Sequence, residues 1–424
     1  MPVRLKDALA TTEPMAVLFA DSCIIQAMLD FEAVLARAQA RTGVIPEPAA
    51  RLIEAAAWAE HFDAAALAAA GLRAGTLAIP LVKALTERVR AADPEAAGYV
   101  HWGATSQDVT DTALVLLLGR ARAILAADHA RIASALRRLS DEHASTVMLG
   151  RTLLQPAPPI TFGLKAAMWF AAVQRGWRRV DGRFAEASML QFGGASGTLA
   201  ALGDKGIEVA EALARELGLA CPPAPWHAQR DCLAALLCAI GVYTGSLAKI
   251  ARDVELLMQH EVGEAFEPGG DGRGGSSTMP HKRNPTACAL VLACANRVPG
   301  LVANFLSGLP HEHERTAGAW HAEWATMTAA VEACGLASES MVEVAEGLTV
   351  DPTRMRANIG STHGVIFAER AMMILAAEIG RDAAHRQMSE AARQGAIPRV
   401  TEDIDSPEAY LGSAEAFRLR LLQS

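Results

Sequence analysis

The sequence predicts an all-α protein built around a bundle of long helices, and three observations carry that prediction. Its 424 residues are 51% hydrophobic but only 5% aromatic, so the apolar bulk is aliphatic and alanine-rich, which favours closely packed helices over strands. Three long stretches space their apolar residues in steps of three and four, a helical period. Sustained period-two alternation is nearly missing, so strands are expected to be minor. At roughly 150 residues per domain the length suggests two to three domains. A chain of this size buries a large core without disulfide or metal staples.

The first long helix opens near Thr110, with Leu114, Leu117, Ala121, Ile124, Ile132, Leu136 and Leu139 on one side. Unbroken to Ser140, it is roughly 45 Å long. Pro156, Pro158 and Pro159 then break the chain ahead of a helix from about Ile160 to Asp181. The stretch QFGGASGTLAALG (191–203) reads as a loop before another helix, and Cys221-Pro222-Pro223-Ala224-Pro225 as a stiff connector. Cys232 to Met258 is the most regular segment. Leu233, Leu236, Ile240, Tyr243, Leu247, Ile250, Val254 and Leu257 form an uninterrupted heptad seam. Pro299-Gly300 is expected to kink or end a helix. The third seam runs through Trp320, Trp324, Met327, Val331, Cys334, Ser338 and Met341, where both tryptophans read first as core. Leu348 to Pro352 marks a boundary, with Asp351 as N-cap and Pro352 at the first helical position. These apolar stripes are long enough to serve contacts between subunits as well as within one.

Composition narrows the function. A net charge of 39 − 47 = −8 speaks against a nucleic-acid or anionic-membrane coat. The start, MPVRLKDALATTEP, lacks the apolar core of a signal peptide. The longest uncharged run, Cys232 to Ala248, contains Thr244, Ser246 and two glycines and falls short of the ~18–20 apolar residues of a membrane span. The seven cysteines form no C-x-x-C pair, which excludes a zinc ribbon or a thioredoxin motif. They read as small hydrophobes, mostly buried, in a reducing cytoplasm.

Chemistry concentrates in FEPGGDGRGGSSTMPHKRNP (266–285), where five of the seven residues from Gly269 to Gly275 are glycine. Gly270, Gly272 and Gly275 satisfy G-x-G-x-x-G, yet a heptad helix precedes them where a dinucleotide site needs a strand. A P-loop needs a lysine after the glycines, and Ser276-Ser277 stand there instead. The remaining reading is a flexible loop that delivers Ser276, Ser277, Lys282 and Asn284 to an anionic substrate. The bland alternative is a solvated linker.

Gly275-Ser276-Ser277-Thr278-Met279-Pro280-His281-Lys282-Arg283-Asn284-Pro285 resembles the signature loop of the aspartase/fumarase (adenylosuccinate lyase-like) superfamily. HWGATSQDVTDT (101–112) and GRTLLQPAPPITFG (150–163) are similar to its other two active-site stretches. Within the superfamily, LDFEAVLARAQA (29–40), YVHWGATSQD (99–108), LQFGGASGTLAALG (190–203), PWHAQRD (225–231) and PHEHERTAGAWHAEW (310–324) most resemble the bacterial 3-carboxy-cis,cis-muconate cycloisomerase family. The likeness runs from about residue 14 to residue 386, with a weaker echo at 409–417.

The resemblance implies an L-aspartase-like homotetramer of three-part subunits, with active sites each built from three subunits. The parts are an N-terminal helical domain (1–103), a central long-helix bundle (104–348) and a small C-terminal helical domain (349–424). The family reaction is carbanion chemistry beside a carboxylate, with the loop serine as base, here Ser276. The glycine-rich backbone and Lys282 favour its alkoxide. Lys282 and Asn284, with Met279 in the same loop, are expected on the substrate. Thr105 and Ser106 are expected to hydrogen-bond a further carboxylate, with His101 close by as a catalytic group. Arg315, Arg230 and Arg151 are candidate cations for a small tricarboxylate, and Gln155 belongs to the second stretch. No metal and no cofactor are implied, and His311, His313 and His321 read as structural.

Two departures refine this reading. The amine-eliminating relatives carry a histidine after Arg-Thr, whereas Arg151-Thr152 is followed here by Leu153-Leu154, and Pro156 replaces a further histidine. LATTEP (9–14) replaces an Arg-Tyr pair resembling a nucleotide-phosphate clamp. An amine leaving group needs a proton donor, whereas a carboxylate does not, so lactone formation fits better. The rivals are a fumarate-releasing C–N or C–O lyase and a non-catalytic helical scaffold.

Overall fold

Six long helices dominate the chain, whose computed structural model describes residues 5–270, 274–275, 279, 282–393 and 400–423. They are α1 (Asp21–Arg41), α2 (Ser106–Glu142), α3 (Phe162–Ala187), α4 (Asp231–Met258), α5 (Thr286–Ser307) and α6 (Ala319–Gly347). Strands are minor, as the sequence predicts. Among the described residues they form two two-stranded sheets, one of them the hairpin β1 (Val147–Thr152) and β2 (Gln155–Thr161).

Every residue of the predicted α4 seam, from Leu233 to Leu257, is buried. Helix α2 starts earlier than its apolar pattern, because Asp108 reaches back to accept from the Thr105 N–H at 3.0 Å, half of a capping box. Its seam holds except at Ile124, where Leu125 takes the buried position. The proline run forms β2 and does not merely break the chain. A two-stranded hairpin leaves one edge of each strand unpaired, so the missing N–H groups cost little. Leu153 and Leu154 make its turn, both left-handed, with φ of 50° and 64°. Helix α5 does not end at Pro299 but runs through it to Ser307, with Pro299 on an exposed position. Helices α4 and α5 are long and apolar enough to cross a membrane by length and composition alone, which the uncharged run did not suggest. The buried seam of α4 accounts for its apolarity as core packing.

The chain divides into two compact units, each discontinuous in sequence. The first comprises Met1–Ala127, Arg178–Thr244 and Cys294–Leu336. There α1 buries Met28, Leu29, Phe31 and Leu35, and packs on the helices Glu47–Ala56 and Gly206–Leu217. The second comprises Asp128–Trp177, Gly245–Ala293 and Ala337–Ser424. There Val147 and Leu149 of β1 pack with Ile359, Ile366 and Phe367. Asp351 caps the helix Pro352–Gly360 by accepting from Arg354 N–H, as expected. Of the cysteines, Cys288, Cys294 and Cys334 are buried, Cys221 is exposed, and the others are intermediate.

Candidate active site

In the first unit, the segment before α2 is held from two sides. Trp102 C=O accepts from Gln39 Nε2 at 2.6 Å, and His101 Nδ1 lies 2.6 Å from Glu32 Oε1. Both partners stand on α1. His101 itself is left-handed, with φ of 59°, a conformation that persists only where surrounding contacts enforce it. Burial alone would lower the His101 pKa. The Glu32 carboxylate, its hydrogen bond and Asp108 together raise it above the ordinary imidazole value. His101 is thereby biased toward the imidazolium.

Asp108 organises the loop facing this segment. Buried completely, it accepts from the N–H groups of Gly193 (3.0 Å) and Gly194 (2.9 Å) and sits 2.6 Å from His227 Nε2. A Cβ at Gly193 would lie 2.6 Å from Pro225 Cγ, and Gly194 has φ of +68°. Glycine is therefore required at both positions.

Arg315 is anchored over the start of α2. It donates to Thr105 Oγ1 (3.0 Å), Gln107 Oε1 (3.1 Å) and the carbonyls of Gly194 (3.4 Å) and Ala195 (3.3 Å). All four acceptors are neutral, so the guanidinium is positioned without losing its charge. Thr105 and Ser106 are half-buried beside it. Such a fixed cation with adjacent hydroxyls suits a carboxylate ligand.

Arg230 departs from its expected role. It is 2% exposed, donates through Nη1 and Nη2 to Asp111, and through Nε to Glu323 at 2.9 Å. Its guanidinium also lies 4.6 Å from the Trp226 ring centroid. With two carboxylates and an aromatic face occupied, it is a buried structural cation and does not face a ligand. Burial would push the Asp111 carboxyl up, but Arg230 and hydrogen bonds from Trp320 and Gln191 hold it below the carboxylate range. Glu323 goes the other way. Burial pushes it up and Asp111 adds, against the shared Arg230.

The remaining candidates lie in the second unit. Arg151 pairs through both Nη atoms with Glu264, at 2.8 and 2.6 Å, and Glu264 also accepts from Asn358 Nδ2. The Arg151 charge is thus matched by a fully buried carboxylate, although its side chain stays 28% exposed. Gln155 is exposed at the hairpin turn, opposite Thr152. Lys282 and Asn284 line a cavity of about 280 Å³ with Glu267, Gly274 and Gly275. Glu267 accepts from Ala287 N–H (3.1 Å) and Cys288 N–H (2.9 Å) at the start of α5. Asn284 N–H donates to Gly274 C=O at 2.8 Å. Met279 is exposed, and Ser276 lies outside the described residues. Among the described residues no acidic, histidine and cysteine group is disposed to hold a metal ion.

The sequence reading missed Asp108, Asp111, Glu323 and Glu264. Asp108 and Asp111 stand three apart in TSQDVTDT, a spacing that shares a helix face, and that was the available signal. Glu323 and Glu264 carried none, because their partners are remote in the chain.

Comparison with known proteins gives a consistent picture. A family profile described as "Lyase" matches residues 8–300. The chain is 48% identical over 442 aligned positions to a 3-carboxy-cis,cis-muconate cycloisomerase of Pseudomonas aeruginosa, covering 99% of this chain and 96% of that protein. It is 49% identical to the Bradyrhizobium diazoefficiens protein of the same description, covering 95% of this chain and 94% of the other. The crystal structure of 3-carboxy-cis,cis-muconate lactonizing enzyme from Pseudomonas putida superposes with a TM-score of 0.94 at 44% identity, covering 99% and 98% of the two chains.

Proposed function

The chain belongs to the lyase family, and on that premise we propose that it is a cycloisomerase that closes 3-carboxy-cis,cis-muconate to 4-carboxymuconolactone. The near full-length similarity to cycloisomerases of that description carries this reading. In the reaction one carboxylate oxygen adds to a carbon of the diene. A C–O bond forms, the neighbouring carbon takes a proton, and no atom leaves. The pathway served is protocatechuate degradation.

The roles of individual residues belong to the same proposal. Arg315, with Thr105 and Ser106, binds one carboxylate, supported by the uncompensated charge of Arg315. His101, biased toward its cationic form by Glu32, supplies positive charge beside it. Lys282, Asn284 and Met279 approach from the glycine-rich loop, and Ser276 delivers the proton to carbon. The intermediate is an aci-carboxylate, a doubly charged species that preorganised donors stabilise more than the ground state. Arg151 and Gln155 contribute from the β1–β2 hairpin. The departures at Leu153 and Pro156 suit a reaction whose adding group is a carboxylate. The three-part subunit, a homotetramer with sites shared by three subunits, and a cytoplasmic location complete the proposal. Members of the superfamily are generally oligomeric.

The direct test mixes purified protein with 3-carboxymuconate and follows loss of the conjugated-diene absorbance. No loss at micromolar enzyme, or fumarate release from a succinyl-amine substrate in its place, overturns the assignment. Ser276→Ala is expected to reduce turnover by about a hundredfold or more with unchanged folding. Near-normal turnover in that variant removes the serine from its role.

A further inference from the structure

A cavity of about 320 Å³ opens in the first unit one helical turn beyond Ser106. It is walled by Trp320, Trp324, Leu77 and Met28, with Thr110 and His321 on its lining. Its size is that of a small-molecule site. Thr110 ties it to the carboxylate site just described. Its hydroxyl donates to Ser106 C=O at 3.1 Å, and residues four apart on a helix share a face.

The walls are held from behind. Trp320 Nε1 donates to Asp111 Oδ1 at 3.0 Å, and Asp111 is itself fixed by Arg230. The His321 ring packs edge-on against Trp320, with centroids 5.0 Å apart. His321 is exposed, its ring makes no hydrogen bond to a described residue, and among the described residues it is the only ionisable group on the lining. The sequence alone suggested a structural histidine, but the ring stands exposed at the cavity.

We propose that this cavity is the subsite for the planar unsaturated carbon chain of the substrate, and that His321 binds a substrate carboxylate at its mouth. The aromatic walls offer flat apolar surface to a conjugated diene, and an imidazole nitrogen offers a donor to an anion. The subsite rests on the cycloisomerase assignment and deepens it by naming what sets its specificity.

Two variants test it from opposite sides. His321→Ala is expected to raise KM for 3-carboxymuconate about tenfold, with kcat within about threefold of wild type. His321→Gln, which keeps a donor, should recover part of the loss. Leu77→Trp fills the cavity from its rim and is expected to lower kcat/KM about tenfold. Because both residues are partly exposed, neither variant should shift Tm by more than about 2 °C. If the wild-type enzyme turns over 3-carboxymuconate while His321→Ala and Leu77→Trp both keep kcat/KM within about twofold, the subsite is wrong and the cycloisomerase assignment stands. Loss of activity that tracks a fall in Tm likewise makes these residues structural. A wild-type protein inert toward 3-carboxymuconate removes both readings together.

Discussion

Arg230 and Asp111 form a bidentate pair sealed from solvent, with Nη1 to Oδ2 at 2.7 Å and Nη2 to Oδ1 at 3.0 Å. Glu323 shares the same guanidinium, so two carboxylates depend on one cation. Asp111 also accepts from Trp320, which joins the first turn of α6 to the first turns of α2. The pair therefore fixes the wall of the proposed substrate site without touching substrate.

Replacing Arg230 by methionine is expected to destabilise the protein by about 3–5 kcal/mol, because two buried carboxylates lose their counter-charge. Urea unfolding with a two-state fit measures this. Arg230→Lys should recover only part of the loss, since an ammonium cannot serve two carboxylates in a planar fork. A change below about 1 kcal/mol would contradict the buried arrangement.

Arg315 is expected to behave in the opposite way. Its acceptors are neutral, so Arg315→Gln leaves no buried charge behind and should change stability by no more than about 1 kcal/mol. Its cost should appear in catalysis, with kcat/KM falling about tenfold or more. Steady-state kinetics beside thermal unfolding separate the two effects, and a variant with normal kinetics would remove Arg315 from the substrate.

The His101–Glu32 pair gives a signed pH dependence. The folded pKa of His101 is raised, so the folded state binds its proton more tightly than the unfolded chain does. That stabilisation is fully present below the unfolded value of about 6.5 and is lost as pH rises through the folded value. Wild-type minus His101→Asn stability should therefore be largest near about pH 5.5 and shrink by about pH 8.5. A difference that grows with pH would reverse the assignment.

Asp128 gives a pH dependence of the same sign in a lower window, but here the charged form is the one that burial penalises. Burial, with Glu339 adding, pushes its carboxyl up to about 6. Between the unfolded carboxylate value of about 4 and the folded one, the native state holds more protons, so stability falls as pH rises through that window. Asp128→Asn is expected to stabilise the protein by about 1 kcal/mol at neutral pH, once solvent screening of a half-buried group is counted. The gain should vanish near about pH 4. Chemical unfolding at the two pH values checks it.

Much of the fold was legible in the sequence because helices announce themselves locally. The α4 seam, the Asp351-Pro352 start and the extent of α6 all follow from residues within a few turns of one another. The proline run correctly marked a break ahead of a helix, but its pairing with β1 was not legible, because that is a relation between two strands. Of the two outcomes expected at Pro299, an end of the helix is the one that fails, because the helix runs through it to Ser307.

By itself, the sequence determined the helical class, the registers of the long seams and the glycine-rich loop with its serines, lysine and asparagine. It also placed Thr105, Ser106 and His101 in one short segment. Only the tertiary structure decided which arginines meet a carboxylate and which does not. Arg151, Arg230 and Arg315 look alike as residues. Yet Arg230 meets carboxylates 119 and 93 positions away, and Arg151 one 113 positions away, while Arg315 meets neutral acceptors. Charge compensation acts through space over a few ångströms, whereas a linear pattern records only separation along the chain.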